Sequence, residues 1–419
     1  MSVYSRKATV KQGDGEQSEE GKDKLSIALV VDSLGGSGNG TSNSAQAFAN
    51  ELERCGVDVR LVGVGSDRDV YAAQSRYIPV VSWFARQHKM EFAQPDLQLF
   101  DKAFQGVDVV HIYMPFEFGR AALAYCKRNG IAVTAGFHVQ PENICASAPF
   151  LNVIPHIKER IYNWMWRGFY EDIDHIHVPS YMEKAELERA GYNQHLHVFS
   201  NGYDDSLFDG TSAILEAERT KTAKNVRTAD HAAHSKFIIV SSGRLSAEKD
   251  HETLIKAVAL SKHKKDIELR IAGAGPLRKK LTKLAQKQLG DAAGFSIGFV
   301  KHDEMPEFLS NADLCVHASL ADIEGISVIE AMAMGVVPVI AHAPKSAASD
   351  FALCPESLFE PHNPEDLARA IDWWLDNPEL RERWGREYAQ VAKARYSIKN
   401  SVQTFIQMAY EAYAQTHNF

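Results

Sequence analysis

Ala321-Asp322-Ile323-Glu324-Gly325-Ile326-Ser327-Val328-Ile329-Glu330-Ala331-Met332-Ala333-Met334-Gly335 is the stretch on which the reading of this chain turns. It follows an apolar segment, Leu314 to Ser319, and opens a short helix that ends at Gly335. Asp322 and Glu330 therefore stand eight positions apart across a strand-to-helix turn. Open α/β sheets bind ligands at such turns, because the free N–H groups of a helix start attract anions. Acids at the same turn suit a ligand with hydroxyls as well as a phosphate, and a nucleotide sugar has both. Two structural alternatives compete. Ser327 and Glu330 fit a capping box, in which the Glu side chain returns to the N-cap backbone, and Asp322 could form a simple Asx turn.

Outward from this run, strands and helices alternate along the chain. Ser26 to Val31 reads as a buried strand, Leu34 to Gly40 as a glycine-rich loop, Thr41 to Arg54 as an amphipathic helix and Asp58 to Val62 as a second strand. Strand–helix–strand over so short a span is a βαβ unit of a parallel sheet. Further strands are expected at Val109 to Tyr113, Ile131 to Ala135 and His175 to Pro179. A polar interlude from Asp209 to Lys236 follows. The pattern then restarts, with strands at Phe237 to Ser242, Glu268 to Ala272, Phe295 to Phe299, Leu314 to Ala318 and Val337 to Ala341. The expected division is a disordered tail over 1–24, a first Rossmann-like domain over 25–205, a linker or insertion over 206–236 and a second such domain over 237–395. A C-terminal helix over 396–419 is expected to pack back on the first domain, and Trp373, Trp374 and Trp384 are expected packing anchors.

Bulk properties agree with two domains. The chain has 419 residues, 45% of them hydrophobic and 24% charged, as in ordinary globular proteins. A formal net charge of -8 argues against general nucleic-acid binding. The five cysteines, Cys55, Cys126, Cys145, Cys315 and Cys354, lack C-x-x-C spacing, so reduced thiols in a cytoplasmic protein are expected. The polar N-terminal segment has no secretory pattern, and no stretch approaches the roughly 18 apolar residues of a membrane span.

Several other motifs sit where strands should end. Gly35-Gly36-Ser37-Gly38-Asn39-Gly40 allows close backbone approach to a ligand but lacks the G-x-G-x-x-G order of the dinucleotide fingerprint; the alternative is a flexible loop with Thr41 as an N-cap. Gly243-Arg244-Leu245-Ser246-Ala247-Glu248-Lys249 places an Arg fork and a Lys point charge five positions apart, a fitting pair for a diphosphate. A solvated loop with Glu248 and Lys249 offsetting one another is the alternative. Gly273-Ala274-Gly275-Pro276 closes the next strand as a turn open to any α/β protein. His138, in Gly136-Phe137-His138-Val139-Gln140-Pro141-Glu142-Asn143, stands just past a strand end among polar neighbours. Asp172-Ile173-Asp174 precedes a strand and reads as structural, and no spacing in the chain marks a metal site. Finally, Leu151 to Tyr170 carries Tyr162, Trp164, Trp166, Phe169 and Tyr170 among Lys158, Arg160 and Arg167. Aromatic groups beside cations suit a helix in a membrane interface, and equally an inter-domain core helix with snorkelling cations.

In this order the motifs resemble glycosyltransferase family 4, retaining enzymes of the GT-B fold. The resemblance rests on the glycine loop, Val178-Pro179-Ser180, Ser200-Asn201-Gly202-Tyr203-Asp204, Gly243 to Lys249, Ile271 to Pro276 and the acidic run. It implies an α/β architecture of two Rossmann-like doubly wound domains facing across a cleft, with a C-terminal helical segment. It also implies transfer of a hexose from a nucleotide-diphosphate sugar, a UDP-sugar favoured, without a metal or other cofactor. By resemblance Arg244 and Lys249 hold the diphosphate, Gly38 and Gly40 close over it, Gly243 and Gly275 shape the site, and Glu330 grips the ribose. Asp322 matches the family's first acid against the donor sugar, with backbone N–H groups of Gly325 and Ile326, and His138 lies near the reacting face. The family usually has Glu, a small residue and Phe before that glycine, whereas this chain has Asp322-Ile323-Glu324, which leaves open whether Asp322 or Glu324 serves the sugar. The Phe137 to Asn143 stretch resembles bacterial members that glycosylate membrane lipids such as diacylglycerol, which makes Glu142, Trp164, Trp166 and Arg167 candidates for the acceptor and a peripheral membrane surface on its cytoplasmic face. A transferase for a soluble glycan and a nucleotide-sugar epimerase of the same fold are the rival readings, together with a silent nucleotide-sugar-binding module.

Overall fold

The residues Ser26–Ser33 are buried along their whole length and form β1, an interior strand of a seven-stranded parallel sheet. Burial on both faces explains why its sequence is a continuous apolar run, as strands covered on either side by other elements require. Successive side chains feed opposite faces: Ala28 and Val30 enter one core, Ile27, Leu29 and Val31 the other. In this computed structural model the described residues are 24–34, 40–65, 71–77, 91–147, 149–208, 236–290 and 293–417. The expected tail, most of the polar interlude and Gly38 lie outside them.

The first sheet contains β1, β2 (Asp58–Val64), β3 (Tyr71–Ala72), β4 (Val109–Ile112), β5 (Ala132–Gly136), β6 (His175–Val178) and β7 (His195–Val198), in the order 3-2-1-4-5-6-7. The second contains β8 (Phe237–Ser242), β9 (Ile267–Ala272), β10 (Gly294–Gly298), β11 (Leu314–His317), β12 (Val337–Ala341) and β13 (Leu358–Phe359), in the order 10-9-8-11-12-13. Each sheet therefore reverses direction beside its first strand, the crevice where doubly wound sheets take ligands. β7 has no counterpart among the expected strands, because His195-Leu196-His197-Val198 alternates polar residues at a partly exposed sheet edge.

Five helices position the site: α1 (Gly40–Arg54), α2 (Pro141–Ser147), α3 (Ile157–Gly168), α4 (Ile326–Ala333) and α5 (Ile398–Thr416). Among the described residues the segment that leaves the first sheet and the one that returns to it run side by side. Tyr203 N–H donates to the Tyr396 carbonyl (3.0 Å), and Ile398 N–H donates to the Tyr203 carbonyl (3.0 Å). Gly202 makes that crossing possible, since its φ is +74° and a Cβ there would lie 2.7 Å from Ile398 Cα. Beyond the crossing α5 lies on α1 and the first sheet, burying Val402, Phe405, Met408 and Ala409 with Phe48 and Leu52. Of the three tryptophans, Trp374 is fully buried in the second core, and Trp373 and Trp384 pack against it.

Candidate active site

The two glycine turns at the ends of β8 and β9 interlock. Leu245 N–H donates to the Ala274 carbonyl (2.9 Å), and Leu277 N–H donates to the Leu245 carbonyl (2.9 Å). A Cβ on Gly275 would sit 2.5 Å from Leu245 O, and one on Gly273 would sit 1.9 Å from Gly243 O. Gly273-Ala274-Gly275 thus lets one loop brace the other, which holds the cationic loop in place. Gly275→Ala is expected to destabilise the second domain by about 1–3 kcal/mol through this overpacking, read as a lowered thermal midpoint.

On the braced loop the two cations diverge. Arg244 pairs with Glu248 (2.9 Å), whose buried carboxylate also accepts from Ser246 Oγ (2.6 Å). Lys249 reaches across to Asp322, which also accepts from His317 Nε2 (3.1 Å). The sequence alternative in which Glu248 and Lys249 offset one another is therefore replaced by two cross-pairs. Burial would raise the Asp322 carboxyl, but the Lys249 charge and the His317 bond outweigh it and hold the group well below the usual carboxylate range. Asp322 is ionised, and burial keeps His317 below its usual value, so Nε2–H donates to Asp322 while Nδ1 faces Ser327 Oγ (3.3 Å).

The capping box is not formed. Gly325, with φ +108°, is the N-cap of α4, and Ser327 lies inside the first turn. The reason is the left-handed turn at Gly325, where a Cβ would come 2.8 Å from Ala348 Cβ; it starts the helix earlier than a Ser327 cap would. Glu330 is consequently not engaged by its own helix start. It is buried, His302 Nδ1 lies 4.0 Å away, and burial pushes its carboxyl up to about 8. Val328 N–H donates to the Gly325 carbonyl (2.8 Å), which leaves the N–H groups of Ile326 and Ser327 as the ones the helix itself does not pair.

Glu324, a candidate for the donor sugar, is occupied elsewhere. Its carboxylate accepts from Ser200 Oγ, from Asn201 N–H (3.1 Å) and from Asn201 Nδ2 (2.7 Å), all in the first domain. Burial pushes the group up to about 7 against these bonds. Of the two acids left open by the sequence, Asp322 stays with the cations and Glu324 ties the domains together.

Across the cleft stands the loop after β5. His138 stacks on Tyr113 (ring centroids 5.0 Å apart), and its Nε2 is buried with no hydrogen-bond partner. Burial pushes the ring down to about 4, so it is neutral near pH 7. Gln140 Nε2 donates to the Lys345 carbonyl (3.1 Å) in the second domain. Helix α2, which carries the buried Glu142, packs on the Ala247–Lys249 turn and on Ala321–Asp322. The loops carrying His138, the cations and Asp322 therefore meet across one cleft.

Gly40 opens α1, and Thr41 lies in the first turn rather than capping it. Helix α3 buries Tyr162 and Met165 in the first core and leaves Trp164 51% exposed, with the Arg120 guanidinium 4.4 Å over its ring. Trp166 is partly buried and Arg167 exposed. This face is thus part of one domain's core, not an inter-domain helix. Asp172 pairs with Lys127 and Asp174 accepts from Gln415, both structural uses. His317 and the Ser200-Asn201 pair were not among the candidate site residues; only the Ser200 to Asp204 motif carried a signal for the latter.

Residues 38–207 match the family model described as Glycosyltransferase Family 4, and residues 224–391 match that of Glycosyl transferases group 1. Over 335 residues the chain is 25% identical to an alpha-monoglucosyldiacylglycerol synthase of Streptococcus pneumoniae, covering 76% of this chain and 71% of that one. A crystal structure of the catalytic domain of cholesterol-alpha-glucosyltransferase from Helicobacter pylori is 50% identical, covering 38% of this chain and 99% of that one, with a TM-score of 0.36. Sucrose-phosphate synthase from Thermosynechococcus elongatus shares the fold, with a TM-score of 0.70 at 18% identity, covering 94% of this chain and all of that one (100%). With two doubly wound sheets closing on one cleft and both halves matched, this chain belongs to the family 4 glycosyltransferases of the GT-B fold.

Proposed function

We propose that this glycosyltransferase moves a hexose from a nucleotide-diphosphate sugar, a UDP-sugar by preference, to the hydroxyl of a membrane lipid such as diacylglycerol or a glycolipid, with retention at the anomeric carbon. The observation that carries the donor half is the cationic loop: Arg244 and Lys249, each steadied by a carboxylate, on a turn braced by Gly275 and packed against α2, the helix that follows His138. The leaving diphosphate would lie against these cations and the α4 start, with Glu330 toward the ribose and Asp322 toward the sugar. The bond from the anomeric carbon to the phosphate oxygen breaks as the acceptor oxygen attacks from the same face. The acceptor proton passes to the leaving phosphate. Arg244, Lys249 and helix N–H groups stabilise the negative charge that develops there, which is the work a divalent metal would otherwise do. His138, neutral, offers a nitrogen to a sugar hydroxyl without adding charge.

The acceptor half rests on the surface of α3 and the segment before it. Phe150, Val153 and Trp164 are exposed apolar groups beside the exposed Arg160 and Arg167. Aromatic side chains and cations together favour an anionic membrane surface, each cation by about 1 kcal/mol. Among the described residues no helix is long and apolar enough to cross a membrane, and the proposed contact is peripheral. The pneumococcal relative's name points the same way.

A screen of UDP- and GDP-hexoses against vesicles containing diacylglycerol, a sterol or no lipid alcohol tests the reaction, with products identified by mass spectrometry. Glycolipid formation is expected. Transfer to soluble glycans alone would replace the lipid reading, and isomerised donor without acceptor would replace it by epimerisation. The surface has its own test: Trp164→Ala combined with Arg167→Ala is expected to lower co-flotation with anionic vesicles by roughly ten-fold, consistent with about 1 kcal/mol per cation and the lost aromatic contact. Wild-type protein that never floats would remove the membrane contact.

A further inference from the structure

Three histidines from adjacent strands converge beneath the cleft: His111 on β4, His138 just past β5 and His177 on β6. One ring nitrogen from each lies within 4.8 Å of the others. His111 Nε2 and His138 Nε2 are buried without hydrogen-bond partners. His111 Nδ1 lies 2.9 Å from Thr134 Oγ1, which orients the ring. His177 Nε2 lies 2.8 Å from the Phe199 carbonyl. A carbonyl can only accept, so Nε2 of His177 carries the proton and its Nδ1 keeps a lone pair. Ligating histidines characteristically spend their second nitrogen on such a carbonyl or hydroxyl. Gly136 leaves the space: a Cβ there would lie 2.2 Å from His138 Nε2 and 3.3 Å from His111 Nε2.

We propose that His111, His138 and His177 form a binding site for a divalent transition ion of the zinc class, and that an ion held there withdraws His138 from the donor and inhibits transfer. Three imidazoles on tetrahedral zinc stand about 3.3 Å apart, a spacing reached from the present one by small ring rotations. His111 and His177 are buried, whereas His138 is partly exposed, so the fourth position opens toward the cleft and the ion enters from there. The inhibition rests on the proposed place of His138 beside the donor; the binding does not.

Cobalt titration of the full chain, first freed of metal with a chelator, tests the binding. One equivalent is expected to produce the visible bands of low-coordinate cobalt, and zinc is expected to displace it. His138→Gln and His177→Gln should each weaken binding at least ten-fold, while the double variant His197→Gln, Glu411→Gln, which removes a second group of potential ligands near α5, should leave it intact. Circular dichroism confirms that each variant folds; His138→Gln, with its partly exposed ring, decides the matter should His177→Gln not fold. Zinc should inhibit transfer by the wild type, and chelator should restore it. The site is overturned by no stoichiometric cobalt or zinc binding, or by binding that survives both substitutions. Intact binding without inhibition would overturn only the second half, and with it the placement of His138 at the donor.

Discussion

Lys249→Ala is expected to lower kcat/KM for donor-dependent transfer by roughly 10²–10³-fold, the loss typical when one preorganised donor is removed from a developing oxyanion. The effect has two parts. The cation itself disappears from the diphosphate position. Its partner Asp322, partly buried, is also left with only His317 to support its charge, so its carboxyl rises toward the ordinary range and its place at the sugar is lost. Lys249→Arg should restore little, because a planar fork does not fit where a compact ammonium meets a partly buried carboxylate. Steady-state kinetics with a nucleotide-binding measurement separates the parts: Lys249→Ala should weaken nucleotide binding, whereas Asp322→Asn should mainly lower kcat. Turnover of Lys249→Ala within a few-fold of wild type would sink the assignment of this loop to the diphosphate.

Glu324→Ala is expected to lower the thermal midpoint by roughly 5–10 °C, because it strips partners from three donors at the domain crossing, two of them on the buried Asn201. The pH dependence has a definite sign. The Glu324 carboxyl is raised in the folded protein to about 7 from 4.5, so its contribution to stability is fully present below pH 4.5 and is lost as pH rises to about 7. Glu324→Gln should abolish that slope, which amounts to at most about 3 kcal/mol across the window. Thermal midpoints of both proteins from pH 4.5 to 8 measure it. Parallel curves for wild type and Glu324→Gln would show that the latch does not titrate as the geometry requires.

The features legible in the amino-acid sequence are those encoded over a few neighbouring residues. Continuous apolar runs such as Ser26 to Val31 and Phe237 to Ser242 mark strands buried on both faces, and the spacing of Ala45, Phe48, Ala49 and Leu52 marks a helix face. Glycines at strand ends mark turns. The edge strand β7 is not legible in this way, because its histidines alternate at a surface where no apolar run is needed. The N-cap of α4 is left open by the sequence for another reason. Ser327-x-x-Glu330 and Gly325 both offer a helix start, and only the close approach of Ala348 selects the glycine.

The sequence by itself determined the repeated βα architecture, the family and the presence of Arg244, Lys249, Asp322 and Glu330 at strand-to-helix turns, since each depends on short periodicities and motifs. Only the tertiary structure decided how those charges are shared. Lys249 meets Asp322 across 73 positions, and Glu324 reaches Asn201 across 123. Likewise, three histidines scattered from 111 to 177 meet because β4, β5 and β6 are neighbours in one parallel sheet. Such pairings follow from strand order and domain contact, and a carboxylate buried there takes whichever donor the fold brings within hydrogen-bond reach.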